Sequence, residues 1–200
     1  MKNTDNIHFI DKVALALRKA ATEMEEFQVQ AALGKAEAQD AFEDAKKRFS
    51  KFLQDSKYKF QEGKEQFKEI DPKLDELRVQ LELGKAEALD KFREQKKELL
   101  MKLHELEFQI KQNPRFDRMN AFMQIEIEKF KVKLDLLEER FEENKEGAKL
   151  AFEKGKMEFN AFINKFKERY AKQEETKWEH FRSEVSEAFK HLKGALEPFA

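Results

Sequence analysis

From Ile10 onward, apolar or small side chains recur in steps of three and four: Val13, Leu17, Ala20, Met24, Phe27, Ala31, Gly34, Ala38, Ala41, Ala45, Phe49 and Phe52. That spacing returns to one face of an α-helix at every turn, and sustained over many turns it is the seam of a coiled coil. After Phe52 the seam passes through a stutter to Leu53, Ser56, Phe60, Gly63, Phe67 and Ile70. A second seam runs from Leu74 through Leu77, Leu81, Gly84, Ala88, Phe92, Gln95, Leu99, Leu103 and Leu106 to Ile110. A third begins at Phe116 and Met119 and reaches Tyr170, then continues more loosely through Trp178, Phe181, Val185, Ala188 and Leu192.

The seams are punctuated at Asp71-Pro72 and Asn113-Pro114, where an Asx residue suits the N-cap and proline suits the first helical position. Near the other end, Lys190, His191 and Lys193 precede Gly194 and Pro198, a C-terminal stop. These signals predict an all-α fold of three long antiparallel helices, at about 6–69, 72–112 and 114–193, in a single elongated domain spanning 1–200. Helices of such unequal length leave overhangs. The stripe Ile10, Val13 and Leu17 on the first helix, and Phe159, Phe162, Phe166, Phe181 and Val185 on the third, then need cover. A second copy of the chain is the expected cover, giving a homodimer or a higher homo-oligomer. The alternative is that the third helix breaks near Gly147 to Gly155 and folds back as a four-helix bundle.

Val29 to Phe42 (VQAALGKAEAQDAF) returns at an offset of fifty as Val79 to Phe92 (VQLELGKAEALDKF), and Ala41, Phe42, Glu43, Lys46, Phe49 and Phe52 return more weakly at Ala151, Phe152, Glu153, Lys156, Phe159 and Phe162. The repeats lie near 27–53, 77–103 and 137–163, and their unequal spacing points to duplication within a helical rod rather than a solenoid. Gly34, Ala38, Ala41, Gly84 and Ala88 fall on the seams and are expected to form a close-packing strip, because glycine inside a helix costs up to ~1 kcal/mol and calls for a packing reason.

Composition narrows the function classes. Forty basic and forty-one acidic residues are shared evenly between the two halves, so no basic stripe is left for nucleic acid. Cysteine is absent, which removes thiolate chemistry and is compatible with a reducing cytoplasm, the expected location. The longest wholly apolar run, Val13 to Leu17, is far short of the ~20 residues that cross a bilayer, and the opening residues lack the apolar core of a signal peptide.

Candidate chemistry is sparse. Gly34, Gly63, Gly84 and Gly155 each precede lysine, but none has the upstream glycine or the following Ser or Thr of a phosphate-binding loop. None of His8, His104, His180 and His191 stands three residues after a glutamate, so the paired Glu-x-x-His of di-iron bundles is missing. The only serines are Ser50, Ser56, Ser183 and Ser186, and Ser56, which falls on the seam, has no histidine near it in sequence, while the carboxylates mostly read as solvated helix-face pairs. No catalytic residue, cofactor or metal site is expected. Twenty phenylalanines against one Trp and two Tyr remain, read first as core filler and second as lipid-facing side chains on amphipathic helices. The expected function is therefore a non-enzymatic coiled-coil scaffold that self-associates and engages a protein partner. A lipid- or membrane-surface helical dimer or lipid-granule coat is the alternative, similar in layout to BAR modules by analogy of architecture alone.

Overall fold

A computed structural model of the chain describes residues 2–31, 35–60, 70–111, 117–141, 157–166, 168 and 178–194. Among the described residues there are helices and no strand: α1 Lys2–Ala31, α2 Lys35–Phe60, α3 Ile70–Leu81, α4 Leu89–Lys111, α5 Asp117–Phe141, α6 over 157–166, and α7 Trp178–Gly194. The helical class expected from the seams is correct; the three uninterrupted rods are not. The second expected helix, 72–112, starts at Ile70 and is interrupted over 82–88 before resuming at Leu89. The third, 114–193, doubles back. Phe166 meets Phe181 with ring centroids 5.4 Å apart, and Phe159 meets Phe189 at 5.3 Å, whereas a straight helix would separate these pairs by roughly 22 and 45 Å. α6 and α7 are thus an antiparallel hairpin. The expected continuity of the first helix through Gly34, the segment 61–69, and the expected break at Gly147 to Gly155 all lie outside the described residues.

The chain divides into two compact units. One comprises Met1–Val29, Asp117–Leu136 and Glu143–Ala200; the other comprises Gln30–Phe116 and Leu137–Glu142. In the first, α5 is buried nearly all round, and its sequence explains why. Met123, Ile125, Ile127, Phe130, Val132, Leu134 and Leu136 are spaced mostly by two, so on a helix they spread over every face instead of forming one stripe. α1 covers one side with Ile10, Val13, Leu17, Met24 and Phe27, and the α6–α7 hairpin adds Phe159, Ile163, Phe166, Phe181, Val185, Phe189 and Leu192 to the same core.

Polar residues trapped on α5 are each answered. Lys129 pairs with Glu23 of α1 at 2.7 Å, Lys133 lies 5.0 Å over the Phe27 ring, and Glu128 accepts hydrogen bonds from Gln124 at 2.8 Å and Ser186 at 2.7 Å. Burying a charge without such partners would cost several kcal/mol, roughly the margin of a small domain.

In the second unit α3 runs antiparallel to both α2 and α4. Lys57 of α2 reaches Asp71 and Asp75 at the start of α3, while Lys73 and Glu76 of α3 face Glu105 and Lys102 of α4. α2 and α4 are therefore parallel, and the core between the three helices holds Phe42, Leu53, Leu74, Leu77, Phe92, Leu99, Leu103 and Leu106. Phe42 and Phe92 occupy the same place in the two copies of the repeat, and they pack edge to face at 4.8 Å.

Candidate functional site

The residues expected to drive self-association are closed within a single chain. Ile10, Val13, Leu17, Phe159, Phe166, Phe181 and Val185 are each 3% exposed or less, and only Phe162 is half-buried. The correction has a geometrical cause. The overhangs follow from assuming one straight third helix, and the α6–α7 hairpin supplies within the chain the cover that a second copy was expected to supply. Of the expected close-packing strip, Ala38 and Ala41 are buried, and Gly34 lies outside the described residues. Gly84 and Ala88 do not belong to it: both are exposed, and a Cβ added at Gly84 would meet nothing within 4 Å.

Gly84 instead sits in the interruption between α3 and α4, a segment held by side chains from other helices. The last turn of α3 tightens, with the Leu83 amide reaching the Gln80 carbonyl at 3.4 Å. Beyond it, side chains from other helices hold the freed carbonyls. Lys46 of α2 donates to the Leu83 carbonyl at 2.7 Å, Gln95 of α4 to the Gly84 carbonyl at 2.8 Å, and Gln39 of α2 to the Glu87 carbonyl at 2.9 Å. Lys85 pairs with Asp40 at 3.1 Å, and Ala86 turns inward.

Lys46 is the centre of this arrangement. Although an amine, it is 1% exposed, because the partial negative charge at the end of α3, the Glu43 carboxylate at 2.8 Å and the Phe42 ring at 4.7 Å surround its ammonium group. Sequence reasoning missed it: as a residue off the seam it reads as surface. The available signal was its position one turn beyond Phe42 in a segment that recurs, but the carbonyl it serves is thirty-seven residues away.

Other polar clusters are self-contained. Lys73, Glu76, Lys102 and Glu105 form a four-membered ion-pair ring across the α3–α4 hairpin, with contacts of 2.8 to 3.3 Å. Hydrogen bonds from the two ammonium groups hold the Glu76 and Glu105 carboxyls below their usual range, and the two carboxylates hold Lys73 and Lys102 above theirs. Asp71 and Asp75 raise Lys57 in the same way. Burial pushes Glu23 and Glu138 upward, but the ammonium of Lys129 for one, and Lys96 with Arg93 for the other, outweigh it and leave both below the ordinary value.

These directions fix a pH window. The depressed carboxyls stabilise the fold fully above their unfolded value near 4.5 and lose that contribution as pH falls through their lower folded values, whereas the raised lysines contribute fully below 10.5 and lose it only above that. Thermal melts are therefore expected to be level from about pH 5 to 9 and to fall below about pH 4. A melting temperature that rises on acidification would contradict these pairings.

Among the described residues are two open grooves. One, of about 510 Å³, lies along the α6–α7 hairpin, floored by Phe162 and Phe166 and rimmed by Glu158, Lys165, Ser183 and His191. The other, of about 470 Å³, runs along α2 between Glu37, Asp40, Glu43, Asp44, Lys47 and Lys85. In the first of these, His191 is turned toward Glu158 at 3.8 Å. Among the described residues no group of three or more His, Asp or Glu side chains is placed to hold a metal ion, and no helix is long and apolar enough to cross a membrane. Comparison of the chain with protein-family models, with curated proteins and with solved structures finds no match in any of the three.

Proposed function

We infer that the chain is a non-enzymatic helical protein of the cytoplasm whose work is association, with a second copy of itself first and with a protein partner second. One observation carries this reading: the two copies of the repeated segment already recognise each other. α2 and α4 run in the same direction, each against α3, equivalent phenylalanines Phe42 and Phe92 are in contact, and Gln39 and Asp40 of one copy engage Glu87 and Lys85 of the other. A second chain carries the same pair of surfaces, so a contact that closes within one chain is equally available between two. Among the described residues, Lys73, Lys102 and Lys129 are each matched by carboxylates, an arrangement that does not favour nucleic acid.

The test is solution mass by light scattering over a micromolar to millimolar range. A rise from 23.8 kDa toward twice that value is expected, and a mass constant at 23.8 kDa throughout overturns the reading. A lipid surface is the second reading. What favours it is that Met101 and Phe108 stand 46% and 53% exposed, two turns apart on the outer face of α4. Flotation with anionic liposomes at low and moderate salt separates the two readings, because binding steered by the lysines weakens as salt screens them.

A further inference from the structure

We propose that residues 82–88 are a hinge through which two copies of this chain exchange α4, and that this exchange is how the molecule self-associates. The proposal rests on the reading of the chain as a self-associating protein and says which part of it moves. Glu82, Leu83, Lys85, Ala86, Glu87 and Ala88 are compatible with a helix, most of them strong helix formers, and Gly84 is the only residue of the segment that disfavours one. Across the interruption the apolar seam keeps helical step through Leu77, Leu81, Gly84, Ala88 and Phe92.

Neither end of the interruption is locally encoded. Gly84 does not take the left-handed conformation with which glycine ends helices, and α4 opens on Ala88, whose carbonyl accepts from the Phe92 amide at 2.9 Å but which has no side-chain acceptor to cap the helix. What keeps the segment unwound comes from elsewhere in the unit: Lys46, Gln95 and Gln39 on its carbonyls, and Asp40 on Lys85.

Released from those contacts, α3, 82–88 and α4 form one helix over 70–111, roughly 63 Å long. Straightening strips α4 from Leu74, Leu77 and Phe42. The surface that restores those contacts is the α4 of a second copy, which brings the same Phe92 to Phe42 and the same Lys102 and Glu105 to Glu76 and Lys73. The exchanged pair loses the hydrogen bonds to the unwound segment and gains helical ones, so the two forms differ by little and concentration selects between them.

Two variants pull the hinge in opposite directions. Gly84→Ala adds a methyl that meets nothing within 4 Å in the folded-back form, yet favours the straight helix by about fivefold per chain, hence about 25-fold in the dimerisation constant. Leu89→Pro occupies the first position of α4, where proline fits, but would stand in the middle of a continuous helix and break it. The chain has no cysteine, so a pair introduced by Lys73→Cys and Glu105→Cys, 2.8 Å apart as wild-type side chains, reports who holds whom when joined by a short bis-maleimide. Expected are a dimer fraction raised by Gly84→Ala and lost in Leu89→Pro, with cross-links between chains in the dimer and within the chain in the monomer. If a dimer forms but its cross-links stay within each chain, or if Leu89→Pro dimerises as the wild type does, the exchange is wrong while self-association stands. If the wild type and Gly84→Ala both stay monomeric at millimolar concentration, both fall.

Discussion

Phe166→Asp is expected to unfold the α6–α7 hairpin rather than to dissociate an oligomer. Phe166 is 3% exposed and packs edge-on against Phe181, so the exchange removes a buried ring and leaves a carboxylate facing Phe181 and Phe162. Losing the ring alone costs about 3–5 kcal/mol, and an unpaired buried charge adds to it, so a total above about 4 kcal/mol follows, enough to threaten a unit of this size. Phe162→Asp on the same helix is the control: Phe162 is half-buried, and its replacement should cost well under half as much. Far-UV circular dichroism melts with parallel mass measurements decide the matter. A Phe166→Asp variant that melts like the wild type but has a smaller mass would mean that this ring is buried between chains and not within one.

The second large effect belongs to the other unit. Phe92→Ala and Phe42→Ala should each lower stability by about 3–5 kcal/mol, since both rings are fully buried. Their double variant should fall short of the sum by roughly 0.5–1.5 kcal/mol, the share that belongs to the edge-to-face contact at 4.8 Å. Chemical denaturation of the four proteins in the cycle gives the number. Strict additivity would show that the rings do not depend on each other, and would remove the contact between repeats on which the proposed self-recognition rests.

The helical class was legible in the steps of three and four, and so was most of the core: Leu74, Leu77, Leu81, Leu99, Leu103 and Leu106 all lie on the expected second seam and all are buried. Local capping signals, the Asx-Pro pairs and the Gly194 stop, do not mark every helix end. Residues 82–88 contain no proline and mostly good helix formers, and they are unwound by groups on α2 and α4 that no local window contains. On α5 the sequence carries a further signal, off the seam. Ile125, Val132 and Leu136 lie off the expected seam, and all three are buried, so the helix has apolar residues on more than one side and needs neighbours on more than one side. Counting those off-seam residues would have pointed to a central helix and to a returning partner such as the α6–α7 hairpin. The overhangs, and with them the expected association residues Ile10, Val13, Leu17, Phe159 and Val185, rested on the straight-rod assumption and went with it.

Lys46 and Lys96 hold the same place in the two repeat copies and have come to opposite circumstances: Lys96 remains partly accessible beside Glu138, while Lys46 is sealed beneath a carbonyl. Among the described lysines, Lys46 at 1% exposure is thus unusually shielded from acylating reagents for as long as its unit stays shut. Its chemical silence is a built-in gauge, with Lys96 as the internal reference, of how often the segment beneath it lets go.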